Sequence, residues 1–157
     1  MTQNNFATAI NEALHEAMQQ DNSVICYGLG VTDPKAVFGT TSNLEQRFGS
    51  ERVFDMPTSE NAMTGVAIGA ALNGIKSVMT HQRFDFFLLA MDQLINGAAK
   101  WHYMFGGQNS IPITIRLIIG VVIRLPQFFI LCVRNRTVAK TDSIGLVVLM
   151  CCHVSAG

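Results

Sequence analysis

Apolar and polar positions alternate in blocks along most of this chain, and the period within each block names an element. Over residues 6–20, Phe6, Ile10, Ala13, Leu14 and Met18 recur at helical spacing, which predicts an amphipathic helix ended by Asp21-Asn22-Ser23. Val24-Ile25-Cys26-Tyr27 reads as a short apolar strand closed by Gly28-Leu29-Gly30. Residues 31–41 are polar and loop-like, with Asp33-Pro34 as a turn signal. Thr41 or Ser42 is placed to cap a short helix over 43–48, which Gly49 ends. Residues 52–55 form a second strand. After the turn at Pro57, Ser59 or Thr58 caps a helix that carries Glu60 in its first turn and runs to Leu72, with Asn73-Gly74 as the stop. Residues 77–80 are a third strand. Residues 84–105 read as one long helix with Phe87, Met91, Leu94, Ile95 and Ala98 on one face, ended by Gly106-Gly107. Residues 113–119 are a fourth strand, apolar apart from Thr114 and Arg116. Strands that alternate with helices in this way build an α/β fold, a parallel sheet of four or five strands with helices on both faces.

Beyond Gly120 the pattern loses its helical period. Residues 121–133 are apolar but interrupted by Arg124 and Pro126, a polar stretch follows, and residues 144–150 are apolar again before Cys151-Cys152-His153. Two strands or a disordered apolar tail fit this better than a membrane span over 117–133, which falls short of about 20 residues and would bury an arginine. The expected organisation is one domain over 1–120 followed by a divergent apolar tail over 121–157.

Composition narrows the classes. A chain of 157 residues suits one domain with a real core. Its formal net charge is zero and no basic cluster stands out, which argues against a nucleic-acid face. Charged residues make up only 14% against 49% apolar, so a large interface or a missing partner segment is expected. The cysteines, Cys26, Cys132, Cys151 and Cys152, form no Cys-x-x-Cys pair, and the first residues carry no basic-then-apolar signal. Reduced thiols in a cytoplasmic protein are the expectation, with no metal site.

The candidate chemistry centres on Glu60. A carboxylate at the mouth of a strand-to-helix turn sits where open α/β proteins bind ligands. The helix behind it is built from Gly65, Ala67, Gly69, Ala70 and Ala71, small enough for another backbone to approach closely. His81 follows a strand and has the reach of a substrate ligand, although a structural, hydrogen-bonded histidine is the commoner reading. His15 and His102 lie in helices with no partner motif. No phosphate-cradling Gly-x-Gly-x-x-Gly opens a helix after the first strand, which weakens a flavodoxin-like or nucleotide-binding reading.

A set of segments then falls in one order. They are Arg52-Val53-Phe54-Asp55-Met56-Pro57-Thr58-Ser59-Glu60, Gly65-Val66-Ala67-Ile68-Gly69-Ala70-Ala71-Leu72-Asn73-Gly74, Phe84-Asp85-Phe86, Asp92-Gln93-Leu94-Ile95-Asn96-Gly97-Ala98-Ala99-Lys100, Tyr103-Met104-Phe105-Gly106-Gly107-Gln108 and Ile111-Pro112-Ile113-Thr114-Ile115-Arg116. Together they resemble the β subunit of the first component of the 2-oxo acid dehydrogenase complexes, thiamine-diphosphate enzymes of the transketolase-like group that act on pyruvate, branched-chain 2-oxo acids or acetoin. The resemblance implies a pyrimidine-binding domain. It implies that Glu60 stands against the cofactor's aminopyrimidine ring, where a carboxyl on a ring nitrogen favours the imino tautomer and so activates the thiazolium carbon. It implies that Phe86 stacks on the pyrimidine face, with Gln82 and Phe84 lining the same pocket. It further implies an α subunit that holds the diphosphate and its magnesium, a second β subunit, and a lipoyl-bearing acyltransferase that receives the acyl group. Asn96, Ala99 and Lys100 match positions near the subunit interface, and the Gly65/Gly69 face would pack on another subunit.

The likeness stops at Gly120. Where the family carries a His-Ser loop that handles the 2-oxo acid, this chain has Val121-Val122-Ile123-Arg124-Leu125-Pro126-Gln127, and its next histidine, His153, is in no matching context. The family's second domain, about another 150 residues, is not in the sequence. A truncated or frame-shifted product is the simplest expectation, and a genuinely short relative is its rival. Alone, such a chain is expected to be inactive. The alternative function is a non-catalytic α/β remnant or interaction module.

Overall fold

The computed structural model describes residues 6–119 and the strand at 147–152. Helix α1 (Phe6–Gln20) leads into β1 (Val24–Gly28). Two short turns follow, α2 (Ala36–Gly39) and α3 (Leu44–Phe48), then β2 (Val53–Asp55), α4 (Glu60–Leu72) and β3 (Lys76–Thr80). A helical segment from α5 (Phe84–Phe87) to α6 (Ala99–Met104) precedes β4 (Ile113–Ile119), and β5 (Val147–Cys152) closes the order. The strands form one sheet in the order β2-β1-β3-β4-β5, and every pairing is parallel. The 144–150 run assigned to the tail thus contributes its last residues to a fifth strand, with Val147 beside Thr114. Residues 121–133 and His153 lie outside the described residues.

Side chains alternate across the sheet, as a parallel sheet buried on both faces requires. On one face Val24, Cys26 and Val53 pack with Leu14 and Met18 of α1 and Leu44 of α3. On the other, Tyr27, Met79, Ile113, Ile115 and Leu117 pack with Met63, Ala67, Ile68 and Ala71 of α4 and with Phe87, Ala90 and Leu94. Burial pushes the Cys26 thiol up to about 12, which keeps it an inert protonated thiol. Arg52 ties the first layer together. Its guanidinium donates to the carbonyls of Met18, Asp21 and Val24 and lies over the Phe48 ring.

The structure departs from the sequence pattern in two places. The segment over 84–105 is not one α-helix. A 3-10 turn (Leu88–Ala90) and a π-helical stretch (Gln93–Ala98) interrupt it. The π stretch brings Gly97 against α4, where a Cβ would stand 3.0 Å from Ile68 Cδ1. Residues 31–41 are more ordered than a loop. Ala36, Val37 and Phe38 all have positive φ, an unfavourable left-handed turn for residues that carry a Cβ. The turn is tied by Thr40 Oγ1 donating to the Val37 carbonyl and by buried Arg116 donating to the same oxygen at 3.3 Å, which gives the one charged residue of β4 its place. A Cβ on Gly65 would meet only the Gln93 side chain of this chain, at an ordinary 3.8 Å, and Gly69 faces open space. Among the described residues no helix is long and apolar enough to cross a membrane, and Leu117 to Ile119, the start of the membrane-span alternative, belong to β4.

Candidate functional site at the switch point of the sheet

Strand order decides where a site can form. From β1 the chain steps to β2 on one side, and β3 and β4 lie on the other. Connections leaving the carboxyl ends of β1 and β3 therefore diverge and leave a crevice between them. Gly28 ends β1 directly beside Thr80, the end of β3. The two backbones are so close that a Cβ on Gly28 would lie 2.0 Å from the Thr80 carbonyl oxygen.

The crevice is a cleft of about 330 Å³ lined by Leu29 and Gly30 after β1, Met56, Thr58 and Glu60 after β2, and His81, Gln82, Arg83 and Phe86 after β3. Asp55 shapes its first wall. Its carboxylate accepts from the backbone N–H of Val31 at 2.7 Å and of Thr32 at 3.2 Å, and from the Thr32 hydroxyl. Gly30 has φ +77°, and Gln82 Nε2 and Asp33 Oδ2 would each stand 3.1 Å from a Cβ there, so a side chain would both strain the turn and crowd the cleft.

Glu60 is the first residue of α4. Ser59 caps that helix by accepting from the Ala62 N–H, as the sequence signals. The Glu60 side chain is buried, 8% exposed, at the positive end of a 13-residue helix. His81 is 1% exposed. Its backbone N–H donates to the Arg116 carbonyl at 2.9 Å, and its ring meets Phe87 edge-on at 5.0 Å between centroids. Burial lowers the imidazole to about 4, with the Glu60 charge pulling the other way. Phe86, half exposed, lines the cleft with the Arg83 guanidinium over its ring, and Arg83 is paired with Asp85.

Of the residues singled out from the sequence, Glu60, Gln82 and Phe86 are brought together in this cleft, and Phe84 is not among its lining residues. Phe84 is partly buried against the hydrophobic core instead, because residues two apart on a helical turn, such as Phe84 and Phe86, point about 200° apart. Asp92, Asn96 and Lys100 are exposed and form their own ladder, Asn96 donating to Asp92 at 2.7 Å and Lys100 to Asn96 at 2.6 Å. His15 reaches the Ser42 carbonyl and His102 the Asn109 carbonyl. Leu29, Gly30, Met56 and Arg83 were not singled out as site residues from the sequence. Their only signal was position after a strand, which strand order alone turns into a cleft wall.

A parallel sheet with helices on both faces, and with acid, imidazole and aromatic side chains at its switch point, defines a ligand-binding open α/β domain. The family model of the transketolase pyrimidine-binding domain matches residues 3–127, and the chain belongs to that family. The mitochondrial pyruvate dehydrogenase E1 component subunit beta-2 of Oryza sativa subsp. japonica is 41% identical over 108 residues, which cover 69% of this chain and 29% of that protein. The pyruvate dehydrogenase E1 component subunit beta of Rickettsia bellii is 38% identical over 108 residues, covering 69% and 33%. The mitochondrial subunit beta of Bos taurus is 36% identical, covering 69% and 30%. The chain thus spans about a third of the length of these relatives. Among solved structures, a split gene transketolase described as an inactive beta4 tetramer superposes with a TM-score of 0.52 at 20% identity, over 71% of this chain and 33% of that one. This likeness concerns the fold.

Proposed function

We propose that this chain carries the pyrimidine-binding half of a thiamine-diphosphate site in a 2-oxo acid dehydrogenase of the pyruvate type, on the β-subunit side. The observation that carries the reading is the buried Glu60 carboxyl at the N-terminus of α4, in one cleft with the Phe86 ring. The cleft fits an aminopyrimidine. It offers a carboxyl for a ring nitrogen, an aromatic face for stacking, apolar walls in Leu29 and Met56, and a buried imidazole whose nitrogens have no partner among the described residues.

In this reading Glu60 holds the ring nitrogen and moves a proton there, Phe86 stacks on the ring, and Gln82 closes the side of the pocket. Helix α4 keeps the carboxyl rigid, and burial excludes the water that would weaken its hydrogen bond. Thiamine diphosphate, when bound, supplies the nucleophilic carbon that attacks a 2-oxo acid. The diphosphate and magnesium would be held by an α subunit, and the acyl group would pass to a lipoyl-bearing acyltransferase. Exposed apolar side chains run along the 84–105 segment at Leu88, Leu89, Ile95, Tyr103, Met104 and Phe105. With the open Gly69 edge of α4, they suit burial against α and β partners.

Calorimetric titration of the full chain with thiamine diphosphate and magnesium, alone and mixed with an α subunit from such an enzyme, tests the reading. Binding that tightens with the α subunit is expected, together with a loss of about 100-fold or more in thiazolium proton exchange for Glu60→Gln. Absence of binding under both conditions, or exchange that survives Glu60→Gln, would refute it.

A further inference from the structure

The outer side of the 84–105 segment carries a pattern that the cleft does not use. Its inner side is spent on the core, where Phe87, Ala90 and Leu94 are buried and Met91, Ala98 and Trp101 are partly buried. On the outer side Leu88 and Leu89 are exposed at one end, and Tyr103 and Met104 at the other. Between these apolar ends the exposed side chains of Asp92, Asn96 and Lys100 are joined in line, Asn96 donating to Asp92 and Lys100 to Asn96. Those two bonds hold every fourth residue on one side of the segment through the π-helical stretch. Leu88 and Met104 continue the same spacing of four.

The row thus reads apolar, acid, amide, base, apolar, and it is symmetrical about Asn96 except that the charges change sign. Turned end for end, it offers Lys100 to Asp92, Met104 to Leu88 and Tyr103 to Leu89. It also sets Asn96, which both donates and accepts, against itself. A two-fold axis performs this turn, and in such a contact each residue pair occurs twice. A parallel pairing would place acid on acid and base on base, which is repulsive. We propose that this face joins two copies of the chain, paired antiparallel about Asn96. The apolar ends supply the burial, and the charges fix direction and register. The face gives the β partner of the reading above its place, and it stands without the cofactor site. The row is roughly 20–25 Å long. That puts the contact at the small end of specific interfaces, with association at about micromolar concentration.

Sedimentation equilibrium of the full chain over a concentration series, without thiamine, tests the contact. A reversible dimer is expected. Asp92→Lys and Lys100→Asp should each weaken it about tenfold or more, because each change acts twice across the two-fold. The double reversal should restore it, with the melting temperature of each variant checked alongside. A second measurement needs no variant. Nitrogen-14 and nitrogen-15 chains are mixed and treated with a carbodiimide, which joins a carboxylate to an amine without a spacer. A mixed-isotope peptide linking Asp92 to Lys100 is expected. A monomer at every concentration, a dimer indifferent to both single reversals, or a dimer without the mixed-isotope link would overturn the proposal. A monomer whose row is protected only when an α subunit is added would give the face to that protein instead. No cofactor enters the experiment, so dimerisation and thiamine binding stand or fall separately.

Discussion

Protonation of His81 should control the acid stability of the domain. The ring titrates at about 4 in the folded chain against an ordinary 6.5. Between those values an unfolded chain takes up a proton that the folded chain refuses, so stability falls as pH falls through this window. Each tenfold difference in proton affinity is worth about 1.4 kcal/mol, so the full cost is about 3 kcal/mol. Against a typical stability of about 5–15 kcal/mol this is a large share. The loss begins near the ordinary histidine range and is complete below the folded value. Asp21 and Asp85 act at lower pH. Hydrogen bonds from Lys76 and from Arg83, respectively, hold these carboxyls below the ordinary carboxylate range, and the stability linked to them disappears only as they protonate. Urea unfolding followed by the fluorescence of Trp101, the single tryptophan, at a series of pH values from neutral down to the acid end of the window measures the slope. His81→Phe should flatten it. Glu60→Gln should extend it to lower pH, because the negative charge that favours the imidazolium is gone. An unchanged slope in His81→Phe would refute the assignment of a buried neutral ring.

Two further outcomes follow from the cleft walls. Gly28→Ala forces a Cβ into the Thr80 carbonyl, 2.0 Å away and backbone rather than a movable side chain, so β1 and β3 must part. A loss of about 3 kcal/mol in unfolding free energy, read as a lower urea midpoint, is expected, and near-neutrality would mean that the β1–β3 register is wrong. Asp55→Ala removes the acceptor for the Val31 and Thr32 N–H groups. Exchange of the Val31 amide should accelerate about tenfold, in line with a net bond of about 1–1.5 kcal/mol, and protection that persists would show that the loop is held by other contacts.

Several elements were legible because their causes are local. The amphipathic period sets α1 over the same residues in sequence and structure, the apolar run sets β4, and Ser59 with Glu60 announces the start of α4. Glu60, Gln82 and Phe86 were legible as a group through the resemblance of their flanking segments, and the structure brings them to one cleft. The interruptions of the 84–105 helix were not legible. Its periodicity is that of a regular helix, and the π stretch becomes visible only when Gly97 is seated against Ile68. The left-handed turn at 36–38 is equally hidden, since nothing in Ala-Val-Phe asks for positive φ and the bonds that tie it come from Thr40 and from Arg116 on a distant strand.

The sequence by itself determined α1, α4 and the strands β1 to β4, that the strands run parallel, and which carboxylate opens a helix at a strand end. Those properties rest on side-chain period and capping, which act over a few residues. The tertiary structure alone decided that β1 lies between β2 and β3, and with it the position of the switch point. It alone brought Gly28 against Thr80, buried His81 beside Glu60, and turned Phe84 into the core while leaving Phe86 at the cleft. Strand order is chosen by packing two layers of helices over one sheet, a balance of contacts between residues far apart in the chain.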